Sequence, residues 1–196
     1  MQMIVLDAKE LFFSYEQKNI IANWSHSLQS HEICHIKGPN GSGKSTLLKL
    51  FCGILQPLSG SITTHRQPQF SFDLAYVGHQ LGLHPDLSVR ENLCDGLVED
   101  TSLMQTLLQS AQMDSYEHAT IHCLSVGQKQ KIAFIRMMMQ KAMIWMMDEP
   151  FANLDEIGEA WLWMRIDKHI EEGGSVIFTA HQRHFEHKGV LIWQMS

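Results

Sequence analysis

Residues 38–46 read GPNGSGKST. The first eight match G-x-x-x-x-G-K-[ST] at every fixed position, a coincidence expected in about one in a hundred chains of this length at average composition. The context narrows it further. A short apolar run, ICHIK at 33–37, leads in as a strand, and STLLKLFCGI at 45–54 leads out with apolar residues at helical spacing. The chemistry explains the spacing. Gly38, Gly41 and Gly43 let the backbone wrap so that its N–H groups point at phosphate oxygens. A helix starting near Lys44 aims the positive end of its dipole at the same place. Lys44 is placed for the β- and γ-phosphates and Ser45 for Mg²⁺. The blander reading is a glycine-rich turn without a ligand, and the strand and helix on either side argue against it.

Outward from this loop the chain alternates. Residues 2–36 hold extended stretches such as MIVL and EICHIK, Gly60 restarts an extended segment, and LAYVG at 74–78 reads as a strand. From about 84 to 140 the pattern turns helical, through LSVRENL, TSLMQTLLQSAQM and GQKQKIAFIRMMMQ. MIWMM at 143–147 is a short apolar strand, a helix follows around 156–170, and GSVIFTA and VLIWQM are the last strands. Strands separated by helical stretches predict an α/β core. The contiguous helical block, about 84–140, reads as a subdomain inserted into a single domain spanning 1–196.

Composition agrees with a packed domain: 44% of the 196 residues are apolar and 18% charged. A net charge of −6 argues against a dedicated nucleic-acid binder. Cys34, Cys52, Cys94 and Cys123 lie far apart with no CxxC pair, which fits a reducing compartment better than a disulfide framework. The start, MQMIVLDAKE, meets acidic residues early, so no signal peptide is expected. No apolar run approaches the roughly 20 residues of a spanning helix.

MIWMMDEP places Asp148 and Glu149 where an apolar strand emerges, the edge at which open α/β sheets bind ligands. Asp148 suits Mg²⁺. Glu149, one residue on, suits a carboxylate that orients a water and acts as general base. Alone, DEP would be a strand-ending turn; beside a phosphate loop the catalytic reading wins. YVGHQ ends at Gln80 and IFTAH at His181, each a hydrogen-bonding side chain just past an apolar run. Either could be an ordinary loop residue, but two strand ends of one sheet could also point at one nucleotide.

Taken in order, GPNGSGKST, Gln80, LSVGQ at 124–128, MIWMMDEP, ANLD at 152–155 and TAHQ resemble the ATP-binding cassette family across nearly the whole chain. The resemblance implies a P-loop NTPase fold of the cassette type, with a mixed β-sheet core, an N-terminal antiparallel β part and the inserted helical subdomain. It implies ATP hydrolysis with ATP and Mg²⁺ bound. The nucleotide would meet Gly38, Pro39, Asn40, Gly41, Ser42, Gly43, Lys44, Ser45 and Thr46. Ser45, Gln80 and Asp148 would serve Mg²⁺, and Glu149, His181, Lys44 and Gln80 would serve catalysis. LSVGQ resembles the family signature, usually LSGGQ. There it covers the γ-phosphate held by a partner chain, so Ser125, Gly127 and Gln128 would act across a homodimer.

Val126 departs from the usual glycine, which puts tight packing against the nucleotide in question. Tyr15 resembles the aromatic that stacks on adenine, though an ordinary strand tyrosine reads nearly as well. Asp155 resembles the residue linking the two sites; a helix N-cap before EIGEAW is the plain alternative, and both can hold. His31 stands where members often carry a turn glycine.

GHQLGLHPDLSVRENL, WMMDEPFANLD and EEGGSVIFTAHQ are similar to the branch of the family that serves cytochrome c maturation and haem export or release. That resemblance implies an integral membrane permease subunit and other cytochrome c maturation proteins as partners, no nucleic acid, and a peripheral place on the cytoplasmic face of the inner membrane. Leu81, Leu83 and Leu87 would then dock a membrane subunit, with core packing as the alternative. Four other readings compete. A non-catalytic cassette would bind ATP only to assemble a complex, and intact Lys44, Asp148, Glu149 and His181 count against it. Another small exporter ATPase shares every motif. A chromosome or DNA-repair ATPase would insert a coiled coil between loop and signature, and residues 47–123 hold no sustained heptads. Direct haem or metal binding by the twelve histidines, such as the pairs His118/His122 and His184/His187, needs no more than chance spacing. The methionines at 137–139 and 143–147 read as core.

Overall fold

The structure is a computed structural model that describes residues 3–94, 100–180 and 189–195. Two long strands, β1 (Ile4–Tyr15) and β2 (Lys18–Gln29), form a hairpin, and β4 (Ser59–Thr64) pairs with the other edge of β1. This three-stranded sheet is wholly antiparallel. The second sheet has five parallel strands in the order β5-β6-β7-β3-β8. These are β3 (Ile33–Lys37), β5 (Phe72–Val77), β6 (Ala142–Asp148), β7 (Ser175–Thr179) and β8 (Val190–Gln194). The mixture expected from the sequence is therefore divided between two sheets, one of each kind.

Five α-helices, α1 (Lys44–Phe51), α2 (Val89–Leu93), α3 (Thr101–Ser110), α4 (Val126–Met139) and α5 (Glu156–Glu171), and two short 3-10 turns, Asp114–Tyr116 and Ile121–Cys123, complete the described residues. Between β5 and β6 the described residues form helices and turns, with one isolated bridge, Ser88 to Thr120. No helix among the described residues is long and apolar enough to cross a membrane.

Strand β6 shows why a continuous apolar run was needed. Successive side chains of a strand point to opposite faces, and a parallel sheet is covered on both. Trp145 and Met147 enter a core with Phe134, Ile135, Trp161 and Leu162 of α4 and α5. Ile144 and Met146 enter the other, with Leu47 and Leu48 of α1 and Leu6 and Leu28 of the antiparallel sheet. Met137, Met138 and Met139 are also buried, as core packing predicts. Leu81 and Leu83 pack against the first of these cores, so of the three leucines expected to dock a partner only Leu87 is exposed. His31 takes φ 67°, the left-handed conformation that a glycine would supply without strain. Its Nδ1 pairs with the Ile170 carbonyl at 2.7 Å, which anchors the β2–β3 turn on α5.

His169 of α5 is buried flat against Trp145, ring centroids 3.8 Å apart, and its Nε2 pairs with the Met143 carbonyl at 3.1 Å. Burial pushes its pKa down to about 4, against smaller opposing effects of the Met143 and Ser175 carbonyls. The folded state thus binds this proton less well than the unfolded chain. Its contribution is fully present above the ordinary histidine pKa and is lost as pH falls from about 6.5 towards 4, by roughly 3 kcal/mol in all. Urea unfolding at pH 7 and pH 4.5 should show a smaller acid loss in His169→Gln than in the parent, by about 2 kcal/mol. His26 and His35, also lowered by burial, keep part of the loss in both proteins.

Candidate functional site

Strand β3 runs apolar and buried to Ile36, then hands over to the loop at 38–43. The loop turns into α1 at Gly43, whose φ is 96°. A Cβ there would lie 2.5 Å from Ile20 of the hairpin, so glycine is required twice over, by conformation and by contact. Lys44 is buried, and its Nζ donates to the carbonyls of Gly38 at 2.9 Å and Pro39 at 3.0 Å. Asn40, Gly41, Gly43, Lys44, Ser45 and Thr46 line a cavity of about 290 Å³ that Ile20 and Glu149 complete.

Two observations fit this cavity to a phosphate. No side chain caps the N-terminus of α1, so its first N–H groups keep their donor capacity. The Lys44 ammonium, which lines the cavity, is held only by loop carbonyls that phosphate oxygens can replace. Beneath the loop, His35 stacks on Phe178 and its Nε2 reaches the Ala180 carbonyl at 3.4 Å. Burial lowers its pKa, and Lys37 and Lys44 push the same way against that carbonyl.

Asp148 ends β6, and Glu149 follows it into the cavity wall at φ 53°, a left-handed conformation uncommon for a glutamate. Thr179, the last residue of β7, fixes both. Its Oγ1–H donates to Asp148 Oδ1 at 2.6 Å, and the same oxygen accepts the Glu149 N–H at 3.0 Å. The Thr179 carbonyl stands 3.2 Å from that N–H as a second acceptor. Because β7 lies between β6 and β3, and Ile36 is the register partner of Thr179, the end of β7 stands between the acidic end of β6 and the strand that leads into the phosphate loop. The DEP turn is held from the other side by Gln130 of α4, whose Nε2 donates to the Pro150 carbonyl at 2.8 Å.

Ser125 and Gln128 start α4 as a reciprocal capping box. The Ser125 Oγ accepts the Gln128 N–H at 3.2 Å and the Gln128 Oε1 accepts the Ser125 N–H at 2.9 Å. A Cβ on Gly127 would come within 2.6 Å of the Asn153 carbonyl oxygen, so only glycine lets this helix start lie against the 152–155 loop. Ser125, Gly127 and Gln128 line a separate cavity of about 360 Å³ with Asn153, Leu154 and Asp155. Asp155 caps α5, its Oδ1 accepting the Gly158 N–H at 2.8 Å. Val126 stands 61% exposed at the mouth of α4, away from any tight contact within its own chain.

The two cavities have no lining residue in common. Lys44, Ser45 and Glu149 are brought together; Ser125, Gly127 and Gln128 are gathered elsewhere. Gln80 is exposed just past β5, the strand at the sheet edge farther from β3, and lines neither cavity. Tyr15 is 47% exposed in the hairpin, edge-on to Phe13 at 4.9 Å, and also lines neither. His181 lies outside the described residues.

Thr179, Gln130 and the capping box went unread in the sequence. The box was legible as S-x-x-Q before a helix. Thr179 and Gln130 carried no local signal, because their partners lie 31 and 20 residues away. Thr179→Val should lower kcat for ATP by about tenfold with KM little changed, the cost of one hydrogen bond to a charged group. Thr179→Ser should restore it, and equal rates in the two variants would contradict the positioning role.

The model of the ABC transporter family matches residues 21–152. The cytochrome c biogenesis ATP-binding export protein CcmA of Legionella pneumophila (strain Lens) is 35% identical over 91% of this chain and 93% of its own. Its namesake from Escherichia coli (strain K12) is 34% identical over 92% and 90%. Among solved structures, the ATP-binding subunit of an ABC transporter superposes with a TM-score of 0.82 at 24% identity, over 91% of this chain and 80% of that one. A nucleotide-free ATP-binding cassette gives 0.77 at 19% identity, over 92% and 82%.

Proposed function

The chain belongs to the ABC transporter family as an ATP-hydrolysing subunit, and from that premise we propose that two copies close on two ATP molecules to drive the haem-export step of cytochrome c maturation. The observation that carries the closing is the separation of the cavities: the signature residues of one chain do not meet the phosphate loop of the same chain. In the closed pair, Ser125 and Gly127 of each copy meet the γ-phosphate held by the other. The N-terminus of α4 adds its dipole there.

Each side chain then has a task. Lys44 and the N–H groups of the loop and of the start of α1 take the phosphate oxygens. Exchange of the two loop carbonyls for phosphate oxygens lets the Lys44 ammonium turn without leaving the loop. Mg²⁺, when bound, neutralises charge on the phosphates; Ser45, Asp148 and Gln80 are the side chains we assign to it. Glu149 orients the attacking water and takes its proton, while His181 holds the γ-phosphate. Tyr15 offers its exposed ring to adenine. Gln80 and the exposed Leu87, at the rim of the helical block, face the membrane permease.

The relatives' names carry cytochrome c biogenesis. We extend it to this chain as the cargo reading, with other cytochrome c maturation proteins in the complex and a peripheral place on the cytoplasmic face of the inner membrane. Glu149→Gln should lower ATP turnover by about 10²-fold or more while nucleotide binding persists; unchanged turnover would remove Glu149 from catalysis. The same variant, loaded with ATP and purified from solubilised membranes, should bring down a multi-span subunit together with cytochrome c maturation proteins. Recovery of an unrelated permease would discard the haem assignment and keep the cassette mechanism.

A further inference from the structure

The parallel strands end at the phosphate loop; where they begin, on the opposite edge of the sheet, lies a cavity of about 500 Å³. Phe70 precedes β5, Ala142 opens β6, and the cavity is walled by these together with α3 and α5. Its volume lies in the range of small-molecule sites. One wall is aromatic. Trp145 and His169 stack at 3.8 Å with their planes 6° apart, and Phe70 meets His169 edge-on at 5.9 Å. Arg165 and Lys168, on the same helix as His169, and Lys141 line it too, with Glu172 as the one carboxylate among the lining residues.

Two groups here lack partners. Among the described residues the Arg165 guanidinium makes no hydrogen bond or ion pair, and its burial disfavours its charge with only a distant attraction to Glu172 in opposition. The Trp145 indole N–H is buried with no acceptor among the described residues. Lys141 and Lys168 reach Asp100 at 3.5 Å and Glu172 at 3.7 Å, long contacts between exposed side chains that leave both lysines available. A half-buried, unpaired guanidinium beside a stacked aromatic cluster is complementary to an apolar aromatic body bearing an acid.

We propose that this cavity binds a planar aromatic carboxylate, its ring packed against the cluster of Trp145, His169 and Phe70 and its carboxylate received by Arg165. Lys141 and Lys168 draw the anion in at the rim. The site stands apart from the nucleotide and does not depend on the cargo assigned above, because none of its residues lines either cavity of the nucleotide machinery.

Naphthalene-2-carboxylate is the probe, titrated calorimetrically into the full chain with tryptophan emission followed in parallel. Saturable binding of one molecule per chain with quenching is expected, and the neutral isostere 2-naphthylmethanol should bind at least about tenfold more weakly, the size of one charge-assisted hydrogen bond. Arg165→Met should weaken the acid by a similar factor and Lys168→Met by less, with ATP turnover kept in both as the check on folding. Saturating ATP should leave the affinity unchanged. Absence of saturable binding, parent-like affinity in both variants, equal binding of the alcohol, or displacement by ATP would each overturn the proposal.

Discussion

One hydroxyl ties the site together. Thr179 Oγ1 donates to Asp148 and accepts from the Glu149 N–H, and so holds one carboxylate and the backbone that carries the next. The constraint beneath it is strand order. Only because β7 runs between β6 and β3 does its end stand between the acidic end of β6 and the strand that leads into the phosphate loop. A left-handed backbone at Glu149 then swings that carboxylate to the phosphate cavity while Asp148 stays in the sheet. The strain of that conformation is offset by the two acceptors that Thr179 presents to the Glu149 N–H and by Gln130 on the next carbonyl.

The second constraint is distance within the chain. Helix α4 is tied to the DEP turn through Gln130, yet its own N-terminus opens into a different cavity. A signature so placed cannot serve the phosphate loop of its own chain without a rearrangement of the two cores. It can serve a second chain, and anything that moves the N-terminus of α4 pulls on Pro150 beside Glu149. The coupling between closure and hydrolysis is in this reading a short mechanical path: Ser125, the capping box, Gln130, the DEP turn.

Much of this was legible in the residue order. The phosphate loop declares itself because a turn that exposes successive N–H groups needs glycines at fixed places, and MIWMM declares a doubly covered strand because both of its faces must be apolar. The opening of α4 was legible too, although its S-x-x-Q box was not read. What stayed hidden was long-range. Strand order places Thr179 and Gln130, and no local pattern encodes it. Leu81 and Leu83 stayed open to two readings for a related reason: a leucine in a loop looks the same whether it meets a partner or its own core, and here both pack partly on the core. His31 makes the same point in reverse, since a left-handed histidine can hold a turn once α5 supplies a carbonyl for its ring.

The account stands on each nucleotide site being built from two chains, and mixing two inactive variants tests this most directly. Lys44→Ala breaks the phosphate loop and Ser125→Glu breaks the signature; each alone should be inactive. In a mixed pair the intact loop of one chain meets the intact signature of the other, so ATP hydrolysis should return on mixing the two purified proteins. If the mixture stays as inactive as its components while the two variants still bind one another, each signature serves its own chain and the composite site is wrong.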